Sequence, residues 1–209
     1  MVKIHHASSS MLLVTALLIP LALAQRAMAQ AVEKTEVAVF RPAVPSGPSR
    51  SGKCWTDSIA VSRPGAWRCM VTNEIYDPCF SNSGLTGAVI CDANPAKGTS
   101  GFILKLTKPL PEPSSGAPVH PRPWLVKLAD GSTCEIQTGT IAFVAGLDVP
   151  YGCSDSQKCN DNGCPYMTGL TDKFKRGKVW MADKVAFGSS EKGLKLLSRK
   201  PVAATAVWK

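Results

Sequence analysis

The sequence predicts one mainly β domain, an antiparallel sheet that is barrel-like or a sandwich, with a disulfide-rich first third and at most one or two short helices. Three observations carry this. Gly and Pro occur 17 and 16 times in 209 residues, and they punctuate the chain at the short intervals that end strands and make turns. The runs between them show little helical period, and the clearest alternate apolar with polar residues, as half-buried strands do. All eight cysteines lie between positions 54 and 164, an even set that reads as a disulfide framework in an exported chain.

The chain opens with Lys3, His5 and His6, continues through an uncharged run over residues 11–24, and reaches Ala27-Met28-Ala29. A basic start, an apolar centre and a small-x-small site form the three parts of a secretory signal peptide. Residues 1–29 are therefore expected to be removed, leaving a secreted or periplasmic protein. The apolar run is shorter than the roughly 20 residues a spanning helix needs, and no second such run follows, so no transmembrane segment is expected after cleavage. Residues 30–53 are rich in Pro, Ser, Ala and Gly without a sustained period, which suits a flexible leader. The stapled β domain is expected over 54–209.

Within it, RPGAWRCMVTNEIY could hold a short helix. GFILKLTKPL, 101–110, reads as a strand that stops at Pro109. Residues 109–123, PLPEPSSGAPVHPRP, hold six prolines, too many for a sheet interior because each lacks a ladder donor; a stiff surface loop is expected. In PWLVKLADGSTCEIQT, alternating runs flank Asp130-Gly131, the pair that marks a tight hairpin. TIAFVAGL, 140–147, suits one buried strand. GLKLLSRK, 193–200, is either a strand or a helical turn. GKVWMADKVAF and PVAATAVWK read as a late strand pair closing the sheet.

Eight cysteines allow 105 pairings. Spacing favours neighbours: Cys54 with Cys69, Cys79 with Cys91, Cys134 with Cys153 and Cys159 with Cys164. Loops of that size stabilise by roughly 2–4 kcal/mol each in the chain-entropy model.

Charge is divided unevenly. Residues 30–172 hold twelve Lys or Arg against thirteen Asp or Glu, whereas residues 173–209 hold ten against two. The basic set Lys173, Lys175, Arg176, Lys178, Lys184, Lys192, Lys195, Arg199 and Lys200 would favour an anionic partner, such as an envelope polymer or lipid head groups. The alternative is that these are solvated outer faces of strands. No nucleic-acid partner is expected.

Catalytic patterns are thin. A nucleophilic Cys or Ser needs a base, usually His, and the mature chain offers one, His120, inside the Pro-rich loop. The cysteine spacings exceed those of structural zinc sites. The stretch CSDSQKCNDNGCP lacks the alternating ligands and distant Glu of a calcium loop and reads as a turn. Glu74 and Asp77 are the closest carboxylate pair near aromatics, a weak basis for a glycosidase. Trp55, Trp67 and Phe80 lie within two residues of a cysteine, where packing on a disulfide is expected. The sequence gives no catalytic residue, metal or cofactor to name.

Taken together, Cys54-Trp55-Thr56, Trp67-Arg68-Cys69-Met70, Tyr76-Asp77-Pro78-Cys79-Phe80, Val89-Ile90-Cys91 and Tyr151-Gly152-Cys153 resemble a group of exported bacterial proteins without an established activity. The resemblance covers residues 52–209 and supports the first three cysteine pairings; the Cys159/Cys164 loop is an addition to it. It implies no catalytic residue. The leading expectation is a non-catalytic extracytoplasmic binding or envelope-associated protein. The rivals are a carboxylate hydrolase of envelope polymers, and a secreted inhibitor or adhesin gripping a protein partner through its Pro-rich loop.

Overall fold

The computed structural model describes residues 32–113, 122–157 and 164–209. These form fourteen strands and no helix. The signal-peptide residues, the tip of the Pro-rich loop with His120, and the stretch 158–163 with Cys159 lie outside them.

The first strand, β1 (Glu36–Ala38), falls in the segment expected to be a flexible leader. That expectation is corrected by the side chains around it. Thr35 is buried, and its Oγ1 donates to the Ala204 carbonyl at 2.7 Å while accepting the Trp180 amide at 2.7 Å. Phe40 packs edge-on against Phe80 and tilts onto Trp124. One hydroxyl and one ring therefore anchor a stretch too short to show a sequence period. Thr35→Val should orphan a buried donor and acceptor together and lower stability by about 1–2 kcal/mol, read from the denaturant midpoint; an unchanged midpoint would return the segment to a leader.

Five strands then close a small barrel: β2 (Arg50–Asp57), β3 (Ala66–Val71), β4 (Glu74–Phe80), β5 (Ala88–Cys91) and β6 (Phe102–Leu106). They run as an antiparallel meander that β2 and β6 complete by pairing in parallel. The short helix expected across 63–76 is instead the β3–β4 hairpin. A register shift interrupts its period on β4, where Asp77 and Pro78 together oppose Arg68. A bulge is a place where a sheet tolerates Pro, so Pro78 lies inside β4.

The Pro-rich segment leads to a second closed sheet. β7 (Leu125–Leu128) and β8 (Thr133–Ile136) form the expected hairpin, with Gly131 at φ +87°. The run expected as one buried strand is a second hairpin, β9 (Ala142–Val144) and β10 (Leu147–Val149). The chain turns at Ala145 and Gly146, both at positive φ, and leaves Phe143 65% exposed. β11 (Tyr151–Cys153), β12 (Met167–Lys175), β13 (Trp180–Ser190) and β14 (Gly193–Trp208) follow, and β14 closes the sheet by pairing with β7. β1 extends it beside the end of β14, in parallel.

A continuous buried cluster joins the two barrels. Ala60, Val61, Ala66 and Phe80 from the first pack with Trp124, Leu125, Tyr151, Leu170 and Val202 from the second. Polar contacts reinforce it: Arg68 donates to the Thr138 carbonyl at 3.1 Å, and Glu135 accepts from Asn94 and Lys97. The bridges Cys54–Cys69, Cys79–Cys91 and Cys134–Cys153 are formed as spacing suggested, and Cys164 is also disulfide-bonded.

Candidate functional site

The nine basic candidates do not share one face. Lys173, Lys175, Arg176 and Lys178 gather at the β12–β13 turn, where Arg176 lies 5.0 Å from the Trp180 ring. Lys192 and Lys195 lie at the β13–β14 turn, and Lys200 stands opposite Lys184 near the middle of β13. The eleven residues of β13 span about 35 Å at roughly 3.3 Å per residue, so Lys192 and Lys195 sit at the far end of that strand from the first group, with Lys200 between the two groups. The remaining two are occupied. Arg199 makes a bidentate pair with Asp183, and Lys184 is buried.

Lys184 is the clearest correction to the basic set. Its side chain is 5% exposed, and Nζ donates to Asp130 Oδ2 at 2.8 Å, Asp155 Oδ2 at 2.8 Å and Ser132 Oγ at 2.9 Å. All three ammonium protons are thus satisfied within the protein. Strand alternation could have shown this, because in GKVWMADKVAF Lys184 shares a face with Trp180 and Ala182, both buried. Its partners, 54 and 29 positions away, leave no such signal.

A Ser hydroxyl beside a Lys amine invites a nucleophile-and-base reading. Electrostatics oppose it here. Burial alone would lower the Lys184 pKa, but hydrogen bonds and charge attraction from Asp130 and Asp155 outweigh it and hold the amine above its ordinary value. Burial likewise works against the two carboxylates, yet Lys184, with Ser132 at Asp130 and Thr168 at Asp155, keeps both below the usual range. A protonated amine cannot take the Ser132 proton. The group is a charged clasp that ties the β7–β8 turn and the segment after β11 to β13.

The carboxylate pair proposed for a hydrolase is also taken apart. Glu74 is exposed and accepts from the Tyr76 hydroxyl. The Asp77 side chain is 1% exposed. One oxygen accepts from Ser58 Oγ and the Ala60 amide, and the other accepts from the Ile59 amide and Arg68 Nη1, these last two at 3.1 Å. Every lone-pair direction is used, which leaves no room for a substrate proton or sugar carbon.

Trp67 and Phe80 are buried as expected, and so are Trp124 and Trp180, whereas Trp55 is 39% exposed with Arg68 over its ring. Among the described residues the one gathering of three possible metal ligands is Cys69, Cys79 and Cys91. Their sulfurs are in bridges and offer no thiolate.

What stays open on the surface is half of β14. β7 covers this strand only from Ala204 onward, with Ala129 donating to the Ala203 carbonyl. Residues 193–202 therefore pair with β13 on one side and with no described strand on the other. Residues 191–201 are exposed apart from half-buried Leu196. Since Ala203 faces β7, alternation turns the backbone of Pro201 the same way, so its missing donor falls on the open edge, where Pro is tolerated. Leu194 and Leu197 are exposed beside Lys192, Lys195 and Lys200, and none of these three lysines has an ion-pair partner among the described residues. Compared with protein-family models, with curated proteins and with solved structures, the chain matches none.

Proposed function

We propose that this chain is an exported, non-catalytic binding domain that engages an anionic polymer of the cell envelope through the open half of β14. The observation that carries the reading is the combination on one strand of an unpaired edge with Lys192, Lys195 and Lys200, beside exposed Leu194 and Leu197. A polymer laid along such an edge meets cations at about one charge every few residues, with apolar contacts between them. Lysines on an edge also discourage a second copy from adding its own strand, which keeps the surface available. Three disulfides suit an oxidising environment, and the signal sequence read at residues 1–29 would deliver the chain there. No helix among the described residues is long and apolar enough to cross a membrane.

The test is binding of oxidised protein to immobilised lipopolysaccharide and to polyphosphate at low and high salt. Each lysine near a polyanionic surface contributes about 1 kcal/mol, so Lys192→Gln, Lys195→Gln and Lys200→Gln together should weaken binding about a hundredfold. Raised salt should weaken the parent protein in the same direction. The triple variant Lys173→Gln, Lys175→Gln, Lys178→Gln serves as the comparison at the other end of β13. Equal losses in both variants, or none in either, would overturn the assignment to β14.

A further inference from the structure

Four cysteine sulfurs converge inside the first barrel. Cys54 and Cys69 face each other across β2 and β3, and Cys79 and Cys91 across β4 and β5, so each bridge joins directly opposed residues. Because β3 and β4 are neighbours, the two bridges lie side by side. The Sγ atoms of Cys69, Cys79 and Cys91 are all within 4.8 Å of one another. Cys69, Cys79 and Cys91 are fully buried, and Cys54 is 6% exposed. The third bridge, Cys134–Cys153, belongs to the second barrel and is not part of this gathering.

We propose that these four cysteines form a thiol–disulfide exchange site whose substrate is a small thiol entering at Cys54. Cys54 is the one of the four that keeps any exposure, so the attacking thiol is taken to be small and to meet this bridge first. In the first step the incoming thiolate bonds to Cys54 Sγ, the Cys54–Cys69 bond breaks, and the electron pair stays on Cys69 Sγ. That thiolate already lies beside the second bridge. It bonds to Cys79 or Cys91, the Cys79–Cys91 bond breaks, and the displaced sulfur keeps the electron pair and takes a proton from water. A second thiol molecule then displaces Cys54 from the mixed disulfide. Two thiols leave joined as their disulfide, and the protein holds two new thiols, Cys54 and one inner cysteine, with Cys69 bridged into β4 or β5. Exchange proceeds by thiolate attack on a bridge sulfur, and a nucleophile held at this separation needs no diffusional encounter. The arrangement lets a cut at the outer bridge be passed to the inner one.

Two experiments on the full mature chain decide it. In Cys54→Ser, Cys69 is left without its partner beside an intact bridge. The protein is denatured in acid to stop exchange, alkylated, and mapped by mass spectrometry. The expected result is label spread over Cys69, Cys79 and Cys91; label on Cys69 alone overturns the proposal. Should that variant fail to fold, the parent protein is treated briefly with a small monothiol, quenched and mapped in the same way. Molecules with one bridge opened should carry label on Cys54 together with Cys79 or Cys91. Label confined to the original pairs, Cys54 with Cys69 or Cys79 with Cys91, overturns it. Cys134–Cys153 stays closed as the internal reference.

Discussion

Asp77→Ala should cost about 3–5 kcal/mol, the range for removing one partner of a buried ion pair. The loss has two parts. Arg68, whose side chain is 15% exposed, would keep its charge with the Thr138 carbonyl as its remaining acceptor. The Ser58 hydroxyl and the amides of Ile59 and Ala60 would lose their shared acceptor, and each unsatisfied buried donor adds its own desolvation cost. Because Arg68 and the 58–60 segment both touch the seam between the barrels, unfolding should start there. Glu74→Ala, at an exposed carboxylate three positions away, should shift stability by less than about 0.5 kcal/mol. The comparison separates structure from chemistry: a large loss at Asp77 beside a silent Glu74 fits a structural knot, whereas equal and small effects would reopen the carboxylate pair as a site. Urea midpoints of the two variants, measured with the bridges intact, supply the numbers.

How much of this was legible in the sequence depends on where each signal is stored. The Asp130-Gly131 hairpin could be read directly, because a tight turn needs a residue free to take positive φ and Gly131 takes it. The start of β13 and the later part of β14 could be read because residues 180–184 and 201–206 alternate over a buried face. The β3–β4 hairpin could not. Asp77 and Pro78 together oppose Arg68, which puts an extra residue into β4, and a two-residue alternation with one insertion no longer looks like a strand. β1 was invisible for another reason: three residues carry no period, and its place is fixed by contacts distant in sequence, among them a hydroxyl reaching partners 145 and 169 positions away. The candidate site behaves the same way. The lysine excess was countable, but counting cannot separate Lys200 on an open edge from Lys184 in a clasp. Only the pairing of distant Asp130 and Asp155 makes that distinction.

Lys184→Met should lower stability by about 2–4 kcal/mol at neutral pH, somewhat under the full cost of breaking a buried pair. The reason for the discount is solvent: Asp130 and Asp155 are 32% and 41% exposed, so water can reach both once the ammonium is gone. The pH dependence identifies the mechanism. Asp130 and Asp155 have pKa values held below the ordinary 3.8, so their contribution is complete above that value and fades as pH falls through the folded pKa values. Lys184 is raised above 10.5, so its contribution is complete below that value and fades as pH rises beyond it. The clasp should therefore hold at full strength between about pH 4 and 10.5, with the parent protein weakening at both ends. In Lys184→Met the carboxylates lose the group that depressed them. The variant's stability should then depend less steeply on acid, and the gap between the two proteins should narrow as pH drops below about 4. Urea titrations of both proteins at pH 3, 7 and 11 measure this gap. A gap that stays constant across the series would mean that methionine fails through packing alone and that the charges contribute nothing to the join between β7–β8, β11 and β13.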